Sequence, residues 1–147
     1  MQSLIPLLAT ILSDHREWLQ TKGNSGVFAD LSEENLEEGN FSNSVLVEAN
    51  FQGSNLNKSN FQNSDLRGAS FHNANLTKAQ SQNCSLEETD LMWADLKGAI
   101  FKNASLKGAY LHGADLRETN ITKDQIKFAY TDEDTLLPNH ISNKEKT

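Results

Sequence analysis

Apolar residues recur at every fifth position over most of this chain. Between residues 46 and 121 the recurring position, called here the centre of a unit, is Leu, Phe or Ile, and Ser81 is the one lapse. The position two residues before each centre is small over the same range, as Ala94 is before Leu96. Such a period fits neither a helix, which repeats every ~3.6 residues, nor a strand, which repeats every ~2. The pattern therefore predicts a repeat architecture built from five-residue units.

Turns between the units predict how the repeat closes. Each unit alternates inward and outward for three residues, as a strand does, and then continues with turn formers such as Lys97-Gly98. A chain that turns after every unit closes a square in four units, which makes one coil twenty residues long. The centres agree, because at a period of twenty Phe falls in two opposite columns and never in the other two. A surface column repeats with the same period and predicts a ladder of side-chain amides: Asn43, Asn63, Asn83 and Asn103.

Two units carry a family resemblance. Ala94-Asp95-Leu96-Lys97-Gly98 and Ala114-Asp115-Leu116-Arg117-Glu118 resemble the A(D/N)LxG motif of the pentapeptide-repeat family. The resemblance implies an all-β solenoid, a right-handed quadrilateral β-helix of about five coils of four pentapeptides. The layout is similar to small cyanobacterial members, whose roles are mostly not established. The motif is specific for the fold and says little about function.

Both open ends of such a solenoid need a cover, because unpaired strand edges invite aggregation. Within a single domain over residues 1–147, we expect an N-terminal capping helix at 3–23, with Ser3 as its N-cap. Its apolar positions fall at helical spacing: Leu4, Leu7, Leu8, Ile11, Leu12, His15, Trp18 and Leu19. A membrane-surface helix is the alternative, but the polar face, with Asp14, Arg16 and Glu17, is not basic.

The C-terminal end carries its own helix signal. We expect the β-helix at 29–126, a C-terminal cap at 122–138 and a flexible tail at 139–147. Thr122 and Gln125 match a capping box, and the short helix that follows is expected to bury Ile126, Phe128 and Ala129 against the last coil. At the other end, Glu34 occupies a small slot, which predicts either a distorted first coil or a Glu34 side chain that reaches solvent.

Composition narrows the possible partners and compartment. The net charge of −7 argues against direct binding of nucleic acid or anionic lipid. A single cysteine, Cys84, leaves no internal disulfide, and its small inward slot predicts a buried, inert thiol. No apolar run is long enough to span a membrane, and the start Met1-Gln2-Ser3 lacks the basic residues of a signal peptide. We expect a cytoplasmic protein.

Catalytic chemistry finds little support in the sequence. The small and central columns fill the interior, and no nucleophile, phosphate-loop or zinc motif is present, so we expect no enzyme and no cofactor. His72 and His112 stand two coils apart, about 9.6 Å, which is too far for one metal ion. Ser81 replaces a Phe-sized side chain and predicts a small void or a buried water.

One face departs from the polar surface. Its outward positions bring together His72, Met92, Trp93, Tyr110 and His112. Exposed Trp and Tyr on a rigid wall are typical of protein interfaces. We therefore predict a non-enzymatic scaffold or adaptor that binds another protein, itself a monomer or a weak homodimer.

Acidic residues suggest an alternative function. Some pentapeptide-repeat proteins are acidic DNA mimics, so the resemblance also implies binding of a topoisomerase or another DNA-binding protein. The residues that would carry it are Glu33, Glu37, Glu38, Glu48, Glu87 and Glu88. Against it, Arg67, Lys97 and Lys107 interrupt the negative surface, and five coils reach only about 24 Å.

Overall fold

The computed structural model describes residues 3–141 and contains an N-terminal helix, a four-sided β-solenoid and a short C-terminal helix. A 3₁₀ turn, Ile5–Leu7, leads into helix α1, Leu8–Gln20, and helix α2 spans Lys123–Lys127. The solenoid walls are ladders of single parallel bridges. Most bridges join a residue to the one twenty positions later, beginning with Asp30 and Asn50. The twenty-residue coil predicted from the sequence is confirmed.

Corners between the walls share one backbone geometry. At most corners the residue three positions after a centre donates its N–H to that centre's carbonyl, as Ala49 does to Leu46 at 3.1 Å. The residue two positions after the centre has a positive φ, for example 55° at Asn43 and 61° at Trp93. A type II turn needs this left-handed conformation at its third residue. The frequent Asn and Gly at that position follow from this need, since they reach left-handed backbone at the lowest cost.

The core is a stack of the predicted columns. Within the two Phe columns the rings stack, at centroid distances of 4.8 Å for Phe41–Phe61 and 4.9 Å for Phe51–Phe71. Between the columns the rings meet edge to face, as Phe41 and Phe51 do at 5.5 Å. Both arrangements are favourable for aromatic rings. The predicted segregation of Phe into two opposite columns is therefore confirmed.

The lapse at Ser81 leaves little empty space. A cavity of about 10 Å³ lies beside it, lined by side chains that include Phe61, Phe71 and Phe101. This is the lower limit for holding one water molecule. At roughly 24 cal/mol per Å³, an empty cavity of this size costs only about 0.2 kcal/mol.

The first coil is regular. Its bridges, Asp30–Asn50 and Asn35–Asn55 among them, match those of the later coils. The expected distortion at Glu34 is wrong and the alternative holds, since this side chain stays partly exposed in its small slot.

Helix α1 covers the first coil. Leu8 is buried in the core, and Leu4, Ile11 and Leu12 pack against it. Ser3 Oγ accepts the N–H of Ile5 at 3.2 Å. The prediction that Ser3 is the N-cap is wrong, because Leu4 precedes the 3₁₀ turn and Leu7 precedes α1. The expectation that Leu7 joins the apolar face is wrong, because this residue is largely exposed. The chain enters α1 through a 3₁₀ turn, whose ~3 residues per turn carry Leu7 off the buried stripe.

The C-terminal segment covers the opposite edge. The predicted capping box at α2 is confirmed, with Thr122 Oγ1 accepting from Gln125 N and the Gln125 side chain accepting from Thr122 N. The Gln125 amide also donates to the carbonyls of Phe101 and Ala104, at 2.6 and 3.0 Å. The Gln125 side chain thus binds the Ala104 carbonyl, which the backbone of a further coil would otherwise pair, and adds a second bond to the Phe101 carbonyl.

Two C-terminal expectations need correction. Phe128 is not buried but exposed, because its carbonyl accepts from Gly108 N and the residue takes an outward corner position above Gly108. Bridging also continues past residue 126, where Tyr130 pairs with Tyr110 and Leu136 pairs with Asp115. Packing extends into the predicted tail at 139–147, where Ile141 is buried; residues 142–147 lie outside the described part of the chain.

Candidate interaction surface

One wall of the solenoid carries most of the predicted site. This wall, called here the Leu91 wall, consists of the units centred on Leu31, Phe51, Phe71, Leu91 and Leu111 and continues with residues 130–133, where Tyr130 pairs with Tyr110. Near its C-terminal end, outward side chains form a group that we call the aromatic surface: Met92, Trp93, Tyr110, His112 and Tyr130. Of the predicted residues, His72 lies one coil below this group, beside Asp90.

Ring contacts define the geometry of the aromatic surface. The Tyr110 ring stacks on Tyr130 with centroids 5.1 Å apart and planes 16° apart. It also lies nearly parallel to the His112 ring, at 6.3 Å. Much of each aromatic side chain remains open to solvent, with exposures of 51% for Trp93, 42% for Tyr110 and 54% for Tyr130. Three aromatic side chains thus stand exposed on stacked, hydrogen-bonded strands.

Trp93 occupies a corner position with a φ of 61°. Left-handed backbone is uncommon outside Gly, Asn and Asp and is an outlier for a bulky residue. Its N–H donates to His112 O at 2.9 Å, so the strained corner is held by the normal solenoid bond. The ring lies over Gly113 of the next coil, where a Cβ would overlap the indole. Gly113 therefore makes room for the Trp93 ring.

Two carboxylates border the aromatic surface. Asp90 lies directly below Tyr110 in the bridge ladder, and its Oδ2 is 3.3 Å from His72 Nδ1. Asp132 Oδ1 accepts the N–H of Gly113 at 3.0 Å, and this bond is the main cause that lowers the pKa of Asp132 below its ordinary value. Both acids also accept bonds from the chain two residues later, which fixes their position. His112 Nδ1 is buried and makes no hydrogen bond to the described residues.

Two exposed aromatic residues were missed from the sequence. Tyr130 extends the column of Tyr110, and Phe128, 63% exposed, lies two residues before it. The twenty-residue period does indicate Tyr130, which lies twenty residues after Tyr110 in the same column. Asp124, however, interrupts the column of small residues, so the five-residue pattern predicts that the repeat ends at residue 126.

Ile100, an exposed apolar residue outside the aromatic surface, lies on the opposite wall. It pairs with Gln80 in a column that otherwise carries amides, and its side chain is moderately exposed. It therefore serves as an isolated apolar reference position, away from the aromatic surface.

The alternative acidic residues do not form one surface. Glu33, Glu37 and Glu38 lie on two walls of the first coil, and the remaining three belong to a third wall. There Glu48, Glu87 and Glu88 surround an open depression that Arg67 also lines. The Arg67 guanidinium makes two bonds to Asp65, at 2.8 and 2.7 Å, and lowers the pKa of that carboxyl. The negative charge is therefore divided, as the intervening Arg and Lys residues indicated.

Residues 3–141 contain neither a metal-binding cluster nor a helix able to span a membrane. No cluster of three or more His, Cys, Asp or Glu side chains in this range is arranged to hold a metal ion. No helix within it combines the length and apolar character needed to cross a bilayer. Cys84 is buried, as predicted, and burial raises the pKa of its thiol to about 11.

Comparisons with known proteins identify the repeat. A family model described as pentapeptide repeat region matches residues 34–111. The fold is similar to the crystal structure of Rfr23, a pentapeptide repeat protein from the cyanobacterium Cyanothece 51142, with a TM-score of 0.72 and 24% identity over 85% of this chain and 98% of that one. It is also similar to alr5209 from Nostoc PCC 7120, with a TM-score of 0.63 and 21% identity over 94% of this chain and 90% of that one.

A third solved structure is a pentapeptide repeat protein from the thylakoid lumen of Arabidopsis thaliana, 30% identical over 67% of this chain and 75% of that one, with a TM-score of 0.42. No curated protein matches the chain. The cyanobacterial structures are right-handed quadrilateral β-helices, and the likeness extends that hand to the solenoid described here.

Proposed function

Because this chain belongs to the pentapeptide-repeat family, we propose that it is a non-enzymatic scaffold that binds another protein through the aromatic surface. The observation that carries the proposal is Trp93, a half-exposed Trp at a corner beside the exposed rings of Tyr110 and Tyr130. Exposed Trp and Tyr side chains are enriched at protein interfaces.

The fold itself gives no reason for a Trp at this corner. Equivalent corners in the described chain carry Asn, Gly, Glu or Lys, for instance Asn73 and Gly113 in the same column, and Trp93 is the one aromatic residue among them. A bulky residue in left-handed backbone costs about 1–2 kcal/mol. The exposed half of the ring gains little from packing within the chain, and equivalent corners form without an aromatic side chain. A role in binding supplies a reason for the exposed ring.

Side chains hydrogen-bond backbone groups at both ends of the solenoid, and this favours a partner that binds to a wall over one that adds a strand to an edge. At the N-terminal edge, His15 donates to the carbonyl of Val47. At the C-terminal edge, Gln125 donates a hydrogen bond to the Phe101 carbonyl, and Asp132 accepts one from the Gly113 N–H. Addition of a partner strand needs free edge groups. A stiff wall instead presents preformed side chains to a partner with little rearrangement.

A pull-down with a matched pair of variants tests the proposal. The double variant Trp93→Asn/Tyr110→Asn removes two exposed rings and introduces residues that the fold already carries at equivalent positions. Ile100→Asn is the control, because it removes an exposed apolar side chain from the opposite wall, where Asn60 occupies the same column. We expect the control and the wild type to retain a host protein that the double variant loses.

Stability measurements make the outcome interpretable. Trp93→Asn alone is expected to change the free energy of unfolding by no more than about 2 kcal/mol, since relief of the strained corner offsets much of the packing lost with the buried half of the ring. Loss of binding in a variant that still unfolds cooperatively near the wild-type urea midpoint then reports the surface and not misfolding. Equal capture by the wild type and the double variant would contradict the proposal.

A further inference from the structure

We infer that the occupant of the aromatic surface is a basic protein segment, whose Lys or Arg side chains lie against the exposed rings and pair with the carboxylates beside them. This inference rests on the proposed function and adds the chemistry of the partner.

Charge is distributed unevenly among the four walls. In the described part of the chain, the outward positions of the Leu91 wall include no Lys or Arg. The same positions carry five carboxylates: Asp30, Glu33, Asp90, Asp132 and Glu133. Each of the other three walls carries Lys or Arg, for example Lys102, Lys107 and Arg117. The rings of the aromatic surface therefore lie on the wall whose described outward positions carry no Lys or Arg, whereas Phe128, with Lys127 Nζ 5.5 Å from its ring centroid, lies on the neighbouring wall.

The carboxylates nearest the rings are well placed for a cation. Asp90 is the bridge neighbour of Tyr110, and Asp132 binds the backbone of Gly113, over which the Trp93 ring lies. A cation beside these rings gains cation–π attraction and meets a carboxylate at the same time. Arg suits such a place particularly well, because its planar guanidinium stacks on a ring while its N–H groups point outward to the acid.

Other occupants fit this wall less well. Nucleic acid would bring phosphates toward an acidic wall of a protein whose net charge is already −7. A second copy docked wall to wall would juxtapose like charges, which is unfavourable. A purely apolar segment would desolvate Asp90 and Asp132 without pairing them. A basic segment satisfies both the rings and the acids.

NMR titration of the full chain with defined peptides tests the inference. The probe is a peptide of about ten residues in which Arg and Ser alternate, and the matched control replaces Arg with citrulline, its neutral near-isostere. We expect saturable shifts of the Trp93 indole and the Gly113 amide with the Arg peptide only. The Trp18 indole, which packs with His15 and Phe28, serves as the internal reference and is expected to stay unchanged.

Charge-matched variants separate the wall from general attraction to an acidic protein. Asp90→Asn/Asp132→Asn keeps the acceptor oxygens, and Asn50 already caps Gln52 N as Asp90 caps Met92 N. Glu87→Gln/Glu88→Gln removes the same charge from another wall. We expect the first pair and Trp93→Asn each to weaken binding about fivefold, and the second pair to change it by less than about twofold.

The results separate failure of this inference from failure of the proposed function. Equal weakening by the two charge-matched pairs, shifts centred on Glu87 and Glu88, or no saturable shift with the Arg peptide would overturn the basic segment. If capture of the host protein nevertheless requires Trp93 and Tyr110, the scaffold function stands with a partner of different chemistry. If capture is also independent of those two residues, both proposals are wrong.

Discussion

His15 connects helix α1 to the rest of the protein, and its replacement gives the sharpest test of how the N-terminal edge is held. Its Nδ1 accepts the N–H of Ala29 at 2.9 Å, so the ring proton lies on Nε2, which donates to Val47 O at 2.8 Å. The ring is fully buried and packs against Trp18 and Phe28, at centroid distances of 5.8 and 5.4 Å. One side chain thus links α1 to the start of the repeats and to the first coil.

We expect His15→Leu to lower the free energy of unfolding by about 2–4 kcal/mol. Leu keeps an apolar side chain at the site, so the loss arises mainly from the two hydrogen bonds. A buried donor left without a partner, here the N–H of Ala29, costs about 1–3 kcal/mol, and the partly buried Val47 carbonyl adds about 0.5–1.5 kcal/mol. Domains of this size have only about 5–15 kcal/mol of total stability, so the change is large.

Urea unfolding followed by circular dichroism measures the total effect, and hydrogen exchange at the Ala29 amide measures it locally. His15→Gln is the control, because Gln retains one donor and one acceptor and is expected to lose less stability than His15→Leu. The reasoning would be refuted if His15→Leu unfolded within about 0.5 kcal/mol of the wild type with Ala29 protection unchanged.

Three further predictions concern the core and the surface acids. Ser81→Phe restores the column pattern, yet it should destabilise by about 1–3 kcal/mol because only about 10 Å³ is free there; a higher melting temperature would show this wrong. The hydrogen bond from Arg117 is the main cause that lowers the pKa of Asp115 from 3.8, so its stabilisation is fully present above that pH and is lost as pH falls through the lower folded value. Asp115→Asn should therefore be less stable than the wild type at pH 7, and its urea midpoint should fall less steeply as the pH is lowered below 3.8. A urea midpoint with the wild-type pH dependence would contradict this. Burial raises the pKa of Cys84 to about 11, so a thiol reagent at pH 8 should react at least ~100-fold more slowly with the native protein than in denaturant, whereas rapid native reaction would count against a buried thiol.

The repeat was accessible from sequence because its register is both local and repeated. Each unit contributes one apolar centre and one small residue, and the same residue types recur twenty positions later in the next coil. Even a lapse such as Ser81 leaves the register unchanged, since the flanking units still define it. The capping box of Thr122 and Gln125 was equally local, because its two partners lie three residues apart.

The residues at the ends needed the tertiary structure. Leu7 and Phe128 look like core residues in the sequence, but the entry turn of α1 and the corner geometry expose them. His15 falls on the apolar face of a helix, and nothing local indicates that Ala29 and Val47 are its partners. Such contacts join segments that are distant in sequence and occur once, so no repeat signal reveals them.

The sequence by itself determined the coil, its columns and the presence of Trp93 and Tyr110 on one wall, because a strand-like unit of five residues that ends in a turn closes a square in four units. Only the tertiary structure decided that Trp93 stands in left-handed backbone over Gly113, and that Tyr130 stacks on Tyr110. These features arise from contacts between successive coils and from how the chain leaves the last one. The candidate surface therefore depends on side-chain packing across coils, which the five-residue pattern does not encode.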